Sequence, residues 1–289
     1  MKSSVGRIEP WRQTNWDWRA AGNFIGGGSG TGLLLSVPFS GGADAALLTL
    51  LGLALMGAGL SCVWLEIGRP WRALNVFRRP ATSWMTREAM VAPLVFASGG
   101  AVVWRGGGAL EWLVACLALA YVYCQAHMLQ GGRGIPAWRH PRVIPLIMVT
   151  AIAEGSCLCV AVLAAAGQVV TASALPWLAV AALLARAAVL TAYRRGLSGA
   201  APTQSLAVLD GYLVADRLLS AVAVMGIAAG ATLAGGRWLL VCAGLAAVAA
   251  GWLLKFTIIV RAAFNQGFAL PMLPVRGPGH AASGVRPGW

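Results

Sequence analysis

Residues 65–90 read LEIGRPWRALNVFRRPATSWMTREAM and hold the densest cluster of charge and tryptophan in a chain that is otherwise oily. Two carboxylates, Glu66 and Glu88, stand at the edges of this stretch, where one apolar run ends and the next begins. If both runs cross a membrane, both carboxylates lie at the same face. Five arginines accompany them: Arg69, Arg72, Arg78, Arg79 and Arg87. Gly68, Pro70 and Pro80 forbid one continuous helix, which predicts a connection with a folded shape of its own. A carboxylate at the hydrocarbon boundary loses hydration, which favours its neutral form, while a neighbouring guanidinium favours the charged one. A group held between those influences can exchange protons near neutral pH. The same residues would also serve as a salt-bridged interfacial loop that only fixes topology.

Of the 289 residues, 58% are hydrophobic and 11% are charged, about half the charge of a soluble domain. That excludes an ordinary soluble fold and predicts an all-α integral membrane protein with about eight transmembrane helices in two packed four-helix bundles. The apolar runs fall near residues 20–39, 45–65, 89–104, 110–129, 143–166, 175–193, 211–234 and 238–260. They define an interfacial N-terminal arm over 1–19, a membrane domain over 20–260 and an extended, Pro/Gly-rich tail over 261–289. The arm is too polar for the apolar core of a signal peptide, so the first run is expected to stay as a span. Its Trp11, Trp16 and Trp18 alternate with polar groups and suit the headgroup layer. The first run opens with Asn23 and then Gly26-Gly27-Gly28-Ser29-Gly30-Thr31-Gly32. No strand precedes this segment and no GK[ST] follows it, so it is not a phosphate loop. Its small residues would let another helix, or a flat ligand ring, approach the backbone.

The net charge of +13 does not signal nucleic acid here, because the basic residues sit between apolar runs. Twenty of the 22 Lys and Arg side chains fall to one side when each is assigned to its nearest helix end, and only Arg105 and Arg237 to the other. The positive-inside rule then puts both termini and the 65–90 loop in the cytoplasm, with the chain in a bacterial cytoplasmic (inner) membrane. A docking surface for an acidic partner would carry the same bias. Glu154 lies eleven residues into its run, roughly 16 Å deep, near the midplane. It is expected to pair with Arg186 or to serve a proton path, while Lys255, near the end of the last run, is expected to snorkel.

None of the six cysteines forms a CxxC pair, and they read as small core residues. Of His127, His140 and His280 only His127 lies in an apolar run, which argues against a bis-histidine haem. No metal site is predicted, and neither haem nor an iron–sulfur cluster.

The run Leu65-Glu66-Ile67-Gly68-Arg69-Pro70-Trp71-Arg72-Ala73, followed by Thr82-Ser83-Trp84-Met85-Thr86-Arg87-Glu88, resembles the signature of the NrfD-type and dimethyl sulfoxide reductase membrane-anchor subunits. The likeness extends from WDWRAAGNF in the arm to RAAFNQGF after the last run, nearly the whole chain. It implies an anchor that is not a catalyst alone. Such an anchor binds a quinone (ubiquinone or menaquinone) and exchanges electrons with a ferredoxin-like, four-cluster iron–sulfur subunit. That subunit in turn serves a molybdenum or tungsten catalytic subunit. The arm and tail look similar to those of anchors of phenylacetyl-CoA:acceptor oxidoreductases, and with the orientation argued above the partner's substrate is expected to be cytoplasmic, as a CoA thioester would be. The resemblance implies that Glu88 takes part in quinol binding, and its place at the hydrocarbon boundary makes it the expected proton acceptor. These anchors often have histidine where Glu66 stands.

The residues expected around the quinone are Asp17, Asn23, Glu66, Arg69, Trp84, Arg87 and His127, all at or near one membrane face. A small polytopic transporter using Glu154 and Arg186 is the competing reading. Transporters built on inverted repeats show paired broken helices, and no such pair is evident.

Overall fold

Asp17 starts the first long helix, its carboxylate accepting the Arg19 amide at 2.8 Å, and α1 then runs Trp18–Ser36. The computed structural model describes residues 6–42, 44–65, 70–168, 170, 173–233 and 235–270. After a 3₁₀ turn at Val37–Phe39 come α2 (Ala45–Trp64), a 3₁₀ segment at Pro70–Arg78, α3 (Trp84–Arg105) and α4 (Ala109–Gln130). The link from α3 to α4 is only three residues long, and Gly106 and Gly108 take it through φ values of 87° and 86° that other residues avoid. A short α5 (Pro136–Arg139) precedes α6 (Val143–Ala165), α7 (Leu175–Leu197), α8 (Thr203–Thr232) and α9 (Arg237–Phe256).

The long helices form two four-helix bundles, α1–α4 and α6–α9, joined along a seam where α1 and α4 meet α6 and α1 meets α9. The glycines of α1 make that helix the centre. A Cβ on Gly26 would stand 2.5 Å from the Leu55 carbonyl of α2, and one on Gly30 would stand 2.5 Å from the Gly52 carbonyl. Gly32 meets the Ala151 carbonyl and Gly155 of α6 in the same way. Close packing against the α2 and α6 backbones therefore accounts for Gly26, Gly30 and Gly32.

Among the described residues six helices, α2, α4, α6, α7, α8 and α9, are long and apolar enough to cross a membrane. The expected eight are matched in long helices but not in apolarity. At 19 and 22 residues, α1 and α3 reach about 28 and 33 Å. Glycine and buried Asn23, Ser29 and Thr31 dilute α1, and Arg87, Glu88 and Pro93 dilute α3. Exposed Trp104, Trp112, Trp177 and Trp238 ring one end of the bundles, and Trp11, Trp18 and Trp64 the other, the pattern of two interfacial belts.

The last helix widens into a π-type turn over Thr257–Arg261, with the Ala262 amide reaching back to the Thr257 carbonyl at 2.7 Å. Side chains take the carbonyls this region presents. Trp138 Nε1 donates to Ile258 at 2.8 Å, Gln13 Nε2 to Ile259 at 3.1 Å, and Ser205 Oγ to Ala262 at 2.8 Å. One turn thereby fastens the arm, α5 and α8. The arm and tail, expected as separate segments, are paired: β1 (Gly6–Ile8) runs antiparallel to β2 (Phe268–Leu270), and Arg12 bridges to Phe264. Both ends of the described chain thus lie at one face, together with the 3₁₀ segment and α5.

Candidate functional site

The connection before α3 is folded by its own side chains. Ser83 caps the helix, accepting the Thr86 amide at 3.3 Å, and the Thr86 hydroxyl donates to the Val76 carbonyl. Arg87 donates from Nε to Pro80 at 2.9 Å and from Nη2 to Ala81 at 2.8 Å. These bonds start α3 at Trp84, five residues before the expected start of the run, so Glu88 sits in the second turn and not at the open end of the helix. Arg87 is clamped to the loop carbonyls and lies 4.1 Å above the Trp84 ring, rather than neutralising Glu88.

Between this loop and α1, α2 and α3 lies a cavity of about 610 Å³. Its walls are apolar: Trp16, Ala20 and Phe24 on one side, Leu60, Val63 and Trp64 of α2 on another, Met85 and Met128 across from them. Its polar lining is Asn23, Glu88 and Asn75. Trp16 is held in place by tilted packing on Trp138, centroids 4.9 Å apart.

Glu88 is 5% exposed and Asn23 3%, and Asn23 Nδ2 donates to Glu88 Oε1 at 3.4 Å. Behind them Gln125 Nε2 donates to the Asn23 carbonyl at 3.2 Å, and Tyr121 and Gln125 both neighbour the Glu88 carboxyl. Among the described residues Asn23 alone makes a well-aligned hydrogen bond to that carboxyl. Asn23 Oδ1 and Gln125 Oε1 are buried with no partner among the described residues, and the Tyr121 hydroxyl has none beyond its approach to Glu88. Of these three residues Asn23 lines the cavity, beside Glu88, and Tyr121 and Gln125 stand behind it.

The expected residues divide. Asn23 and Glu88 meet at the cavity. Trp84, Arg87 and His127 form a stack beside it, with His127 4.2 Å from the Trp84 ring and nearly parallel, and Tyr123 edge-on to His127 at 4.4 Å. Asp17 caps α1 and pairs with Arg19 at 2.8 Å, and those hydrogen bonds hold its carboxyl below the ordinary value. It does not line the cavity. Glu66 and Arg69 lie outside the described residues. Tyr121 and Gln125 were missed, although two polar groups at i and i+4 inside an apolar run are a visible signal of one polar helix face.

The charges deeper in the membrane domain are paired differently from expectation. Glu154 bonds Lys255 at 2.6 Å, and Arg186 bonds Asp216 at 2.6 Å and the Tyr212 hydroxyl at 2.9 Å. Lys255 does not snorkel. Its side chain is fully buried, because Glu154 on the facing helix supplies a countercharge closer than the interface. Among the described residues no three His, Cys, Asp or Glu side chains come together as metal ligands.

The molecule is thus, by class, a polytopic helical membrane protein whose one loop-bearing face holds a greasy, carboxylate-lined cavity. The chain belongs to the DMSO reductase anchor subunit (DmsC) family, matching it over residues 45–260. It is therefore a membrane-anchor subunit of a DMSO reductase-type oxidoreductase, and the membership implies catalytic and iron–sulfur subunits as associates. The match covers the loop, Glu88 and α2 to α9, and leaves Asn23 and α1 outside it. A search of curated proteins found no match.

Proposed function

We propose that this anchor binds a quinone or quinol in the cavity at Glu88 and exchanges its electrons with an iron–sulfur subunit docked on the loop-bearing face. The observation that carries the reading is the pairing of a nearly buried carboxylate with Asn23, whose Oδ1 has no partner among the described residues, on the lining of a largely apolar cavity of about 610 Å³. That volume lies within the usual range for small-molecule sites, which combine apolar walls with a few polar groups that orient the ligand. The fit is chemical as well. Asn23 Oδ1 can accept from a quinol hydroxyl, the Glu88 carboxylate can take its proton, and the methionine and tryptophan walls can hold the start of an isoprenoid tail.

When bound, the quinone supplies two-electron, two-proton redox chemistry. The chain's own part is to orient the ring between Asn23 and Glu88, to exclude water with Trp16, Phe24 and Trp64, and to hold or release a proton at the Glu88 carboxyl. Ubiquinone or menaquinone would serve. The proposal includes α1 and α3 as further crossings, eight in all. It also includes a cytoplasmic placement of both termini and of the docking face in a bacterial inner membrane, supported by the basic bias of that side. That bias survives the removal of buried Arg186 and Lys255 from the count. The partner would carry molybdenum or tungsten, and its substrate, on the likeness to phenylacetyl-CoA:acceptor anchors, would be cytoplasmic.

Glu88→Gln tests this. The substitution keeps size and the Asn23 contact and removes the proton acceptor. The complex should assemble and react normally with soluble artificial electron carriers, while quinone-linked turnover falls by roughly 10²-fold or more. Near-parental quinone turnover across pH 6 to 8 would remove Glu88 from the proton chemistry.

A further inference from the structure

The cavity accounts for Glu88 and Asn23 but not for the charge buried beyond them. Glu154 of α6 and Lys255 of α9 pair at 2.6 Å on the seam between the bundles, at 1% and 0% exposure. Ser29 Oγ of α1 donates to the same carboxylate oxygen at 2.6 Å, and Trp252 Nε1 donates to Ser29 Oγ at 2.8 Å. The other oxygen, Glu154 Oε1, is buried with no partner among the described residues and faces the bare backbone of Gly251. A pair kept only for architecture has every reason to satisfy both oxygens, because an unmatched acceptor in hydrocarbon is costly.

Two consecutive glycines of α1 join this pair to the cavity. A Cβ on Gly27 would run into the Gln125 amide, and a Cβ on Gly28 into Lys255 Nζ. Gln125 bonds the Asn23 carbonyl and, with Tyr121, neighbours Glu88. Gln125 and Lys255 thus abut α1 at adjacent glycines, one beside Glu88 and the other in the ion pair, with no α1 side chain at either position. Two polar atoms here, Gln125 Oε1 and Glu154 Oε1, have no partner among the described residues. Buried water is the usual partner of such groups.

We propose that this is a proton route, and that the Glu154–Lys255 pair is the station at its inner end, exchanging protons with Glu88. The proposal rests on the quinone reading of the cavity. Oxidation of a quinol sends two electrons to the partner's iron–sulfur centre and releases two protons. One of these, taken by Glu88, has to leave before the next turnover. Glu154 Oε1 can hold it: an O–H bond breaks at Glu88, another forms at Glu154, no electrons move, and the proton returns through Glu88 to water at the loop-bearing face before the next turnover, while the second quinol proton passes to that water directly. The reverse flow serves quinone reduction. The charged and titratable groups around the station are Arg186 of α7, Asp216 and Tyr212 of α8, and Cys157 of α6. Arg186 and Asp216 neutralise each other at 2.6 Å, so the proton's charge is felt chiefly by the Glu154–Lys255 pair.

Two variants of the intact complex test the route. Glu154→Gln combined with Lys255→Met removes both charges at nearly constant volume. Gly28→Ala keeps every titratable group and places a methyl where Lys255 Nζ now sits, displacing only the end of a flexible chain. The readouts are affinity for a quinone-analogue inhibitor, turnover with a soluble electron carrier, and quinone-linked turnover with its pH profile and solvent deuterium isotope effect. Analogue affinity and soluble-carrier turnover should match the parent. Quinone-linked turnover should fall by about 10²-fold in the double variant and several-fold in Gly28→Ala, with a displaced pH profile and a larger isotope effect. Parental turnover and pH profile in either assembled variant overturn the route while leaving the quinone site intact. Failure of the unmodified complex to bind the analogue overturns the quinone reading itself, and the route with it. If the double variant does not assemble, Gly28→Ala decides.

Discussion

Removing Lys255 alone should damage the protein far more than removing Lys255 and Glu154 together. The two side chains are in contact at 2.6 Å and essentially unexposed, and among the described residues Ser29 is the only other hydrogen-bond partner of the carboxylate. Lys255→Met leaves a carboxylate buried with one hydroxyl for company, and breaking a buried pair this way costs about 3–5 kcal/mol. Glu154→Gln strands the ammonium instead and falls in the same range of about 3–5 kcal/mol. In the double variant neither charge remains to be solvated, the glutamine can still accept from Ser29, and the net effect should lie between neutrality and a gain of about 1–4 kcal/mol. The pairwise coupling energy should therefore exceed the roughly 0.5–3 kcal/mol typical of contacting residues. Denaturant unfolding of the detergent-solubilised anchor across the four-member cycle measures it. A Lys255→Met variant within about 1 kcal/mol of the parent would mean that the ammonium is not committed to Glu154, and the reasoning would be wrong.

Gly26→Ala should destabilise by about 1–3 kcal/mol because its methyl meets α2 backbone, whereas Gly57→Ala, whose nearest neighbour is Phe96 Cζ at 3.7 Å, should be tolerated; comparing their unfolding midpoints checks the glycine seam. His140, in the loop before α6, is held below the ordinary imidazole value first by burial and then by Arg142, and its Nδ1 accepts the Arg142 amide at 3.2 Å. Its neutral form is thus the folded form, so it should favour folding above the ordinary value and progressively less as pH falls through it. A histidine NMR titration midpoint at or above that of a free imidazole would contradict this. Green fluorescent protein fused at the tail should fluoresce and alkaline phosphatase fused there should be inactive, and the opposite pattern would reverse the proposed orientation.

The helical membrane fold was legible because apolar runs interrupted by charged connections leave few alternatives. Helix starts were less so. The expected start of α3 near residue 89 missed Trp84 because the capping bonds of Ser83 and the carbonyl clamp of Arg87 carry polar residues into helix that hydropathy assigns to loop. Asn23 and Glu88 could be placed at one face, but that they touch depends on how closely α1 and α3 flank α2, a tertiary fact. Ion partners were the least readable. Charge and depth suggested Glu154 with Arg186, yet helix order sets Lys255 against Glu154 and Asp216 against Arg186. The same limit hid the pairing of arm and tail, whose contacts span some 250 residues of chain.

The central claim is that quinone binds between α1, α2 and α3 with its ring at Glu88. A photoreactive quinone analogue, crosslinked in the purified complex and mapped by peptide mass spectrometry, tests it most directly. Labels should fall on the cavity walls, chiefly at Trp64, Met85 and Met128, and should be displaced by excess ubiquinone or menaquinone. Labels confined to the outer surfaces of α7 and α8, or undiminished by competing quinone, would contradict the account.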